Sequence, residues 1–212
     1  MARDMLTLAV PKGRLGDATI ARLQASGLAR DVDGTSRKLV FEDNEAGIVY
    51  LFVKPSDVIT YVTNGVADLG IIGKDALVEA DPDVYELSDL GFGKCVFAVA
   101  GLERHHDLSD GTIRVATKYP VAATRHFTSK NRTIDIIKLN GSVELAPLAG
   151  LADVIVDIVE TGNTLKANGL SVFETFMDIS ARLICNPSSY AFHRTRILDL
   201  EGRLRQREEN DT

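Results

Sequence analysis

Short β-branched apolar runs alternate with helical patterns along nearly the whole chain, and Gly, Pro, Ser or Asp marks each junction. This alternation predicts parallel α/β architecture, because strands buried on both faces read as continuous apolar segments and need crossover helices between them. The first unit is a strand over 6–10, the loop Pro11-Lys12-Gly13-Arg14, and an amphipathic helix with Leu15, Ile20, Leu23 and Leu28 that ends near Gly27. A polar stretch over 31–38 leads into strands at 39–41 and 48–53, and Ser56 or Asp57 is expected to cap a short helix through Tyr61. A buried strand at 68–73 and a helix over 74–80 follow. The second series has strands at 95–100, 113–116, 134–137, 154–156 and 182–185, a helix near 121–128, and a charged C-terminal helix over 190–207.

An internal echo refines this picture. Gly65-Val66-Ala67-Asp68 and Gly150-Leu151-Ala152-Asp153 each follow a strand exit and a short helix, and each opens a buried strand. The echo is either the ordinary likeness of two βα units or the trace of two similar lobes. In the second reading the chain crosses between lobes twice, with hinges at 91–94 and near 171–178. Lobe I is then expected over 1–92 and 179–212 and lobe II over 93–178, with ligands at strand C-termini lining a cleft between them.

Composition narrows the class. At 212 residues, with 45% hydrophobic and 25% charged, the chain has ordinary globular content and length enough for two small lobes. A net charge of -6 argues against an extended nucleic-acid footprint. No apolar run approaches the roughly 20 residues of a membrane helix, and the first residues lack the apolar core of a signal peptide, so a cytoplasmic protein is expected. Cys95 and Cys185 stand far apart in apolar runs and read as reduced core residues. His105, His106, His126 and His193 have no partner motif and read as surface residues.

The strongest chemical signal is the run from Asp153 to Leu165, in which an apolar strand exits into Glu160-Thr161-Gly162-Asn163-Thr164 and opens a helix. Backbone N–H groups at a helix start, with hydroxyls beside them, suit a phosphate monoester. Asp157 could bond ribose hydroxyls or a Mg²⁺-bound water, or serve only as a turn residue, while Thr161 or Asn163 could act simply as N-caps. The loop resembles the ribose-phosphate loop of phosphoribosyltransferases, but the type I version has two adjacent acids, and here Val156 precedes Asp157.

Further motifs carry a wider resemblance. Leu8 to Leu15, Ser36-Arg37-Lys38-Leu39, Gly65 to Asp75, Ala116-Thr117-Lys118-Tyr119, Leu139 to Pro147 and Gly150 to Leu170 together resemble the ATP phosphoribosyltransferase family, in its order and over essentially the whole chain. The resemblance implies a short-form catalytic subunit of the first enzyme of histidine biosynthesis. It also implies two α/β lobes of the type IV phosphoribosyltransferase fold, similar to type II periplasmic binding proteins. Transfer of the phosphoribosyl group of phosphoribosyl pyrophosphate to N1 of ATP follows, with Mg²⁺ held chiefly by substrate oxygens and no metal cage in the protein. Lys12, Arg14 and Arg37 are implied to act on the pyrophosphate, and Lys12, Lys54 and Asp75 on ATP. Glu144 and Asp157 would face the ribose, and Glu160, Thr161, Gly162, Asn163 and Thr164 would hold its phosphate. A homodimer core and a separate regulatory subunit resembling a histidyl-tRNA synthetase are implied as well, because longer members of the family carry a histidine-sensing domain that this length does not accommodate. A two-lobed solute receptor and a type I phosphoribosyltransferase are the competing readings, disfavoured by the start of the chain and by Val156 respectively.

Overall fold

The computed structural model describes residues 5–34, 36–105 and 111–205. In chain order the elements are β1 (Leu6–Pro11), α1 (Arg14–Ala25), β2 (Val40–Asp43), β3 (Ile48–Val53), α2 (Val58–Thr63), β4 (Leu69–Gly73), α3 (Lys74–Ala80) and β5 (Tyr85–Asp89). Next come β6 (Cys95–Gly101), β7 (Ile113–Thr117), α4 (Pro120–Ser129), β8 (Ile134–Lys138), α5 (Leu145–Leu148), β9 (Val154–Val159), α6 (Asn163–Ala167), β10 (Ser171–Ile179), β11 (Ala181–Cys185) and α7 (Pro187–Arg205). Two compact units result: unit 1 is Met1–Leu77, Asp81–Gly93 and Ser180–Thr212, and unit 2 is Val78–Ala80 and Lys94–Ile179.

Unit 1 holds a six-stranded sheet ordered β2-β3-β1-β4-β11-β5. Strands β3, β1 and β4 are parallel, and β11 closes on β4 antiparallel. Both faces are covered, which is why these strands read as unbroken apolar runs. Leu6, Leu8 and Val10 pack on one face with Ile20 and Leu23 of α1 and Ile197 and Leu200 of α7. On the other face Ala9, Ile72 and Ile184 meet Val58 and Val62 of α2 and Leu77 of α3. Gly70 permits that approach, since a Cβ there would come within 2.8 Å of both valines.

Unit 2 holds a five-stranded sheet ordered β10-β6-β9-β7-β8. Here β8, β7 and β9 are parallel and β6 runs antiparallel to β9. The order repeats that of unit 1 strand for strand, with β8, β7, β9, β6 and β10 standing where β3, β1, β4, β11 and β5 stand. The echoed tetrapeptides take matching conformations, with Gly65 at φ 67° and Gly150 at φ 72°, and with Ala67 and Ala152 fully buried. Asp68 N–H donates to the Thr7 carbonyl and Asp153 N–H to the Arg114 carbonyl, both at 2.9 Å. The matching is a repeated architecture and not the loose likeness of any two βα units.

Three expectations need correction. The stretch near 171–178 is not a hinge loop: it lies within the nine-residue strand β10, which pairs antiparallel with β6 over Ser171–Ile179. It is an edge strand with two register shifts, so its burial does not alternate cleanly and the strand period is blurred. Neither Ser56 nor Asp57 caps α2 with its side chain; a 3-10 turn over Pro55–Asp57 leads into that helix, and the Ser56 hydroxyl donates to the Asp57 carboxylate at 2.8 Å. His126 is buried at 8% exposure, because Ala122, Ala123, His126 and Phe127 share the inward face of α4. His105 and His193 are half-buried, His193 at a non-helical kink inside α7, and His106 lies outside the described residues. Cys185 is buried and Cys95 half-buried, and neither is in a disulfide; burial pushes the Cys185 pKa up to about 12, so it stays a neutral core group.

Candidate active site

In unit 1 the parallel strands bring their C-terminal ends to one sheet edge. The last rung of β1 and β3 pairs Pro11 with Val53, and the Lys12 N–H donates to the Val53 carbonyl at 2.8 Å, so Lys12 and Lys54 leave the sheet side by side. Gly13, at φ 84° and ψ -162°, turns the chain into α1 and sets the exposed Arg14 at its first position. The helix sits tight on the strand end: a Cβ on Gly16 would lie 1.9 Å from the Pro11 carbonyl oxygen. Asp75 is the second residue of α3, which follows β4, and its Oδ1 occupies space 2.1 Å from where a Gly73 Cβ would be. Arg37 is exposed ahead of β2; that strand runs antiparallel to β3 and the Phe52 N–H donates to the Leu39 carbonyl at 2.8 Å, so Arg37 stands at the same sheet edge.

In unit 2 the equivalent edge carries the remaining predicted residues. The β7–β9 ladder ends at the pair Thr117 and Val156, and β7–β8 ends at Thr117 and Lys138. Asp157 is the first residue of β9 beyond that rung, half-buried, and its Oδ1 accepts the Ile158 N–H at 2.8 Å. Glu160 and Thr161 follow on the exposed turn, and Gly162 takes the left-handed conformation (φ 71°, ψ 4°) that starts α6. The Thr161 hydroxyl faces the Asn163 N–H at 3.4 Å, and Lys166 N–H donates back to the Gly162 carbonyl at 3.0 Å. An exposed helix start of this kind leaves first-turn N–H groups without intrahelical acceptors. Glu144, half-buried, sits at the start of α5 after β8.

The predicted residues therefore divide into two sets, each gathered at the C-terminal edge of its own sheet. Lys12, Arg14, Arg37, Lys54 and Asp75 belong to unit 1, and Glu144, Asp157 and 160–164 to unit 2. Two features of unit 2 carry no role in the sequence reading. Glu79 caps α4 from the last turn of α3, its carboxylate accepting the N–H groups of Val121 at 2.9 Å and Ala122 at 3.2 Å. A cap supplied from 42 residues away leaves no local signature. Thr117 sits at both terminal rungs, fully buried. Among the described residues no group of three or more His, Cys, Asp or Glu could hold a metal ion, and no helix is long and apolar enough to cross a membrane.

The chain is similar to known proteins in both sequence and fold. A family model described as "HisG: ATP phosphoribosyltransferase" matches residues 54–206. The ATP phosphoribosyltransferase of Clostridioides difficile (strain 630) is 57% identical over 190 residues, which is 89% of this chain and 91% of that protein. Among solved structures, the ATP phosphoribosyl transferase (HisG:HisZ) complex from Thermotoga maritima matches with a TM-score of 0.81 and 36% identity, covering 95% of this chain and 98% of that one. The periplasmic VFT2 domain of Bordetella pertussis BvgS matches with a TM-score of 0.63 at 14% identity, covering 99% and 90%, and shares the fold alone. The fold is thus the mixed α/β, two-sheet type expected, with periplasmic binding domains among its structural neighbours. The matches run along nearly the full length of the relatives, and they bear out the resemblance read in the sequence motifs: the chain belongs to the ATP phosphoribosyltransferase family, transferases of the first step of histidine biosynthesis.

Proposed function

We propose that the residues gathered at the two sheet edges divide the reaction between them. The loop Glu160-Thr161-Gly162-Asn163-Thr164 holds the 5-phosphate of phosphoribosyl pyrophosphate, and Asp157 and Glu144 bond the ribose hydroxyls. Lys12, Lys54 and Asp75 hold ATP, while Arg14, Arg37 and Lys12 draw off pyrophosphate. The observation that carries this reading is Gly162: its left-handed backbone at the start of α6, beside the Thr161 hydroxyl, is the conformation in which main chain approaches an anion closely.

The chemistry asks for alignment and charge neutralisation. The adenine N1 lone pair attacks the anomeric carbon, the bond from that carbon to the pyrophosphate oxygen breaks, and its electron pair leaves with pyrophosphate. N1 of neutral adenine carries no proton, so no general base is needed. An oxocarbenium-like transition state places positive charge on the ribose, where Asp157 and Glu144 stabilise it, and negative charge on the leaving group, where a planar guanidinium such as Arg14 offers paired donors. Mg²⁺ travels with the pyrophosphate oxygens and waters as part of the substrate, and adds to that neutralisation.

The protein works in the cytoplasm, as a catalytic homodimer joined by a regulatory subunit resembling a histidyl-tRNA synthetase. Support for such a partner comes from the Thermotoga maritima structure, whose chain is held in a HisG:HisZ complex. Mixing the protein with ATP, phosphoribosyl pyrophosphate and Mg²⁺, with and without that partner, and following phosphoribosyl-ATP by ultraviolet absorbance tests the reading. Product formation that is insensitive to Thr161→Val and Thr164→Val would overturn the loop's role.

A further inference from the structure

Thr117 ties three strand exits of unit 2 together. Its carbonyl accepts the Leu139 N–H at the β8 exit, 3.0 Å away. Its hydroxyl donates to the Val156 carbonyl on β9 at 2.6 Å and accepts the Tyr119 N–H of the turn into α4 at 2.8 Å. The side chain is fully buried, and Val156 and Tyr119 are buried too, so losing either bond would leave a buried polar group unsatisfied. Any residue could supply the carbonyl bond. Only a hydroxyl can donate to Val156 and accept from Tyr119 at once, and the β-branch of threonine restricts the rotamer that does so.

The repeated architecture shows that the fold itself does not require this clamp. Val10 is the counterpart of Thr117 in unit 1: Leu8 faces Leu69 as Val115 faces Val154, and two residues further on Val10 pairs with Phe52 as Thr117 pairs with Lys138. Valine has much the same shape but no hydroxyl, and the unit 1 sheet closes without one. The hydroxyl clamp thus occurs in the sheet whose β9 exit leads within one residue to Asp157 and then to the 160–164 loop.

We propose that Thr117 is a positioning residue for the phosphoribosyl substrate: its hydroxyl fixes the Val156 carbonyl and so the point from which Asp157 and the phosphate loop leave the sheet. The inference rests on the reading of that loop given above. It predicts that Thr117→Val, which keeps the shape and removes both hydroxyl bonds, raises KM for phosphoribosyl pyrophosphate about tenfold, the effect of releasing the Val156 carbonyl, while KM for ATP stays within about twofold. Thr117→Ser should remain near wild type in both. A rise in the two KM values together, equal behaviour of the valine and serine variants, or an unchanged KM in Thr117→Val would overturn the assignment. If the valine variant does not fold, Thr117→Ala against Thr117→Ser makes the same comparison at equal volume loss at the methyl. Thr164→Val separates the layers. An unchanged KM for phosphoribosyl pyrophosphate there brings down the loop reading and the Thr117 assignment with it. A raised KM there beside an unchanged one in Thr117→Val overturns the assignment alone.

Discussion

Asp153 and Arg114 hold each other through main chain and side chain at once. The Arg114 N–H and Nε donate to Asp153 Oδ2 at 2.9 and 3.2 Å, Nη2 donates to Oδ1 at 2.6 Å, and the Asp153 N–H returns a bond to the Arg114 carbonyl at 2.9 Å. The same exchange without the guanidinium joins Thr7 and Asp68 in unit 1, where the Thr7 N–H donates to Asp68 Oδ2 at 2.8 Å. Each aspartate pins the strand it opens to its central parallel neighbour.

Removing either carboxylate strands a backbone N–H inside the sheet. Asp68→Ala and Asp153→Ala should each cost about 1–3 kcal/mol, seen as a lower urea midpoint at unchanged slope. Arg114 hydrogen bonding holds the Asp153 pKa below its ordinary value. Its contribution is therefore present above the unfolded value of 3.8 and is lost as pH falls through the lower folded one. Acid unfolding of Asp153→Asn should accordingly be shallower than that of the wild type in that range.

Gly162 sits where a side chain is strained. At φ 71° an alanine costs about 1 kcal/mol of backbone energy, although a Cβ there has only Val159 Cγ1 near it, at 3.9 Å. Gly162→Ala should leave the melting temperature within a few degrees of wild type and raise KM for phosphoribosyl pyrophosphate several-fold. Unchanged kinetics would show that the loop backbone does not approach the anion.

Arg14 is exposed at the first position of α1, so truncating it removes little packing. Arg14→Ala should lower kcat by about 100-fold, the loss of a charge-assisted pair made chiefly in the transition state, with ATP affinity by calorimetry nearly unchanged. An effect confined to ATP affinity would reassign the residue to ground-state binding.

His126 gives the protein a pH dependence in the near-neutral range. It stacks on Phe176 with ring centroids 3.9 Å apart, and burial lowers its pKa below 6.5 although Glu174 Oε2 lies 3.4 Å from Nε2. Lys130, which also bonds Glu174, lowers it further. The folded state holds the neutral ring, so the unfolded chain takes up the proton first. Stability should be full above about 6.5 and fall as pH drops through that value toward the folded pKa. Melting temperatures measured from pH 8 to pH 5 should decline for the wild type and decline less for His126→Phe, which preserves the stack.

The sequence reading reached the parallel strands and the loops after them because both are locally encoded. Central strands such as Val154-Ile155-Val156 are apolar on both faces, and turn residues such as Gly13 and Gly162 mark the exits where chemistry gathers. Of the edge strands, β5 and β10 escaped it: β5, Tyr-Glu-Leu-Ser-Asp, is largely exposed and polar, so only its pairing with β11 makes it a strand. His126 was legible in principle, since it keeps the helical spacing of Ala122, Ala123 and Phe127, but a polar residue on that face masked the period. The roles of Thr117 and Glu79 depend on partners 39 and 42 residues away, and no local pattern records such bonds.

Strand β11 lies between β4 and β5 in the middle of the unit 1 sheet, yet it follows all of unit 2 in the chain. During synthesis the whole of unit 2 is therefore made before the strand that joins the edges of β4 and β5. The later unit has all its strands first, and the earlier one receives its last strand only afterwards. The sheet that begins the chain thus cannot be completed from the N-terminal segment alone, unlike a domain that folds as it leaves the ribosome.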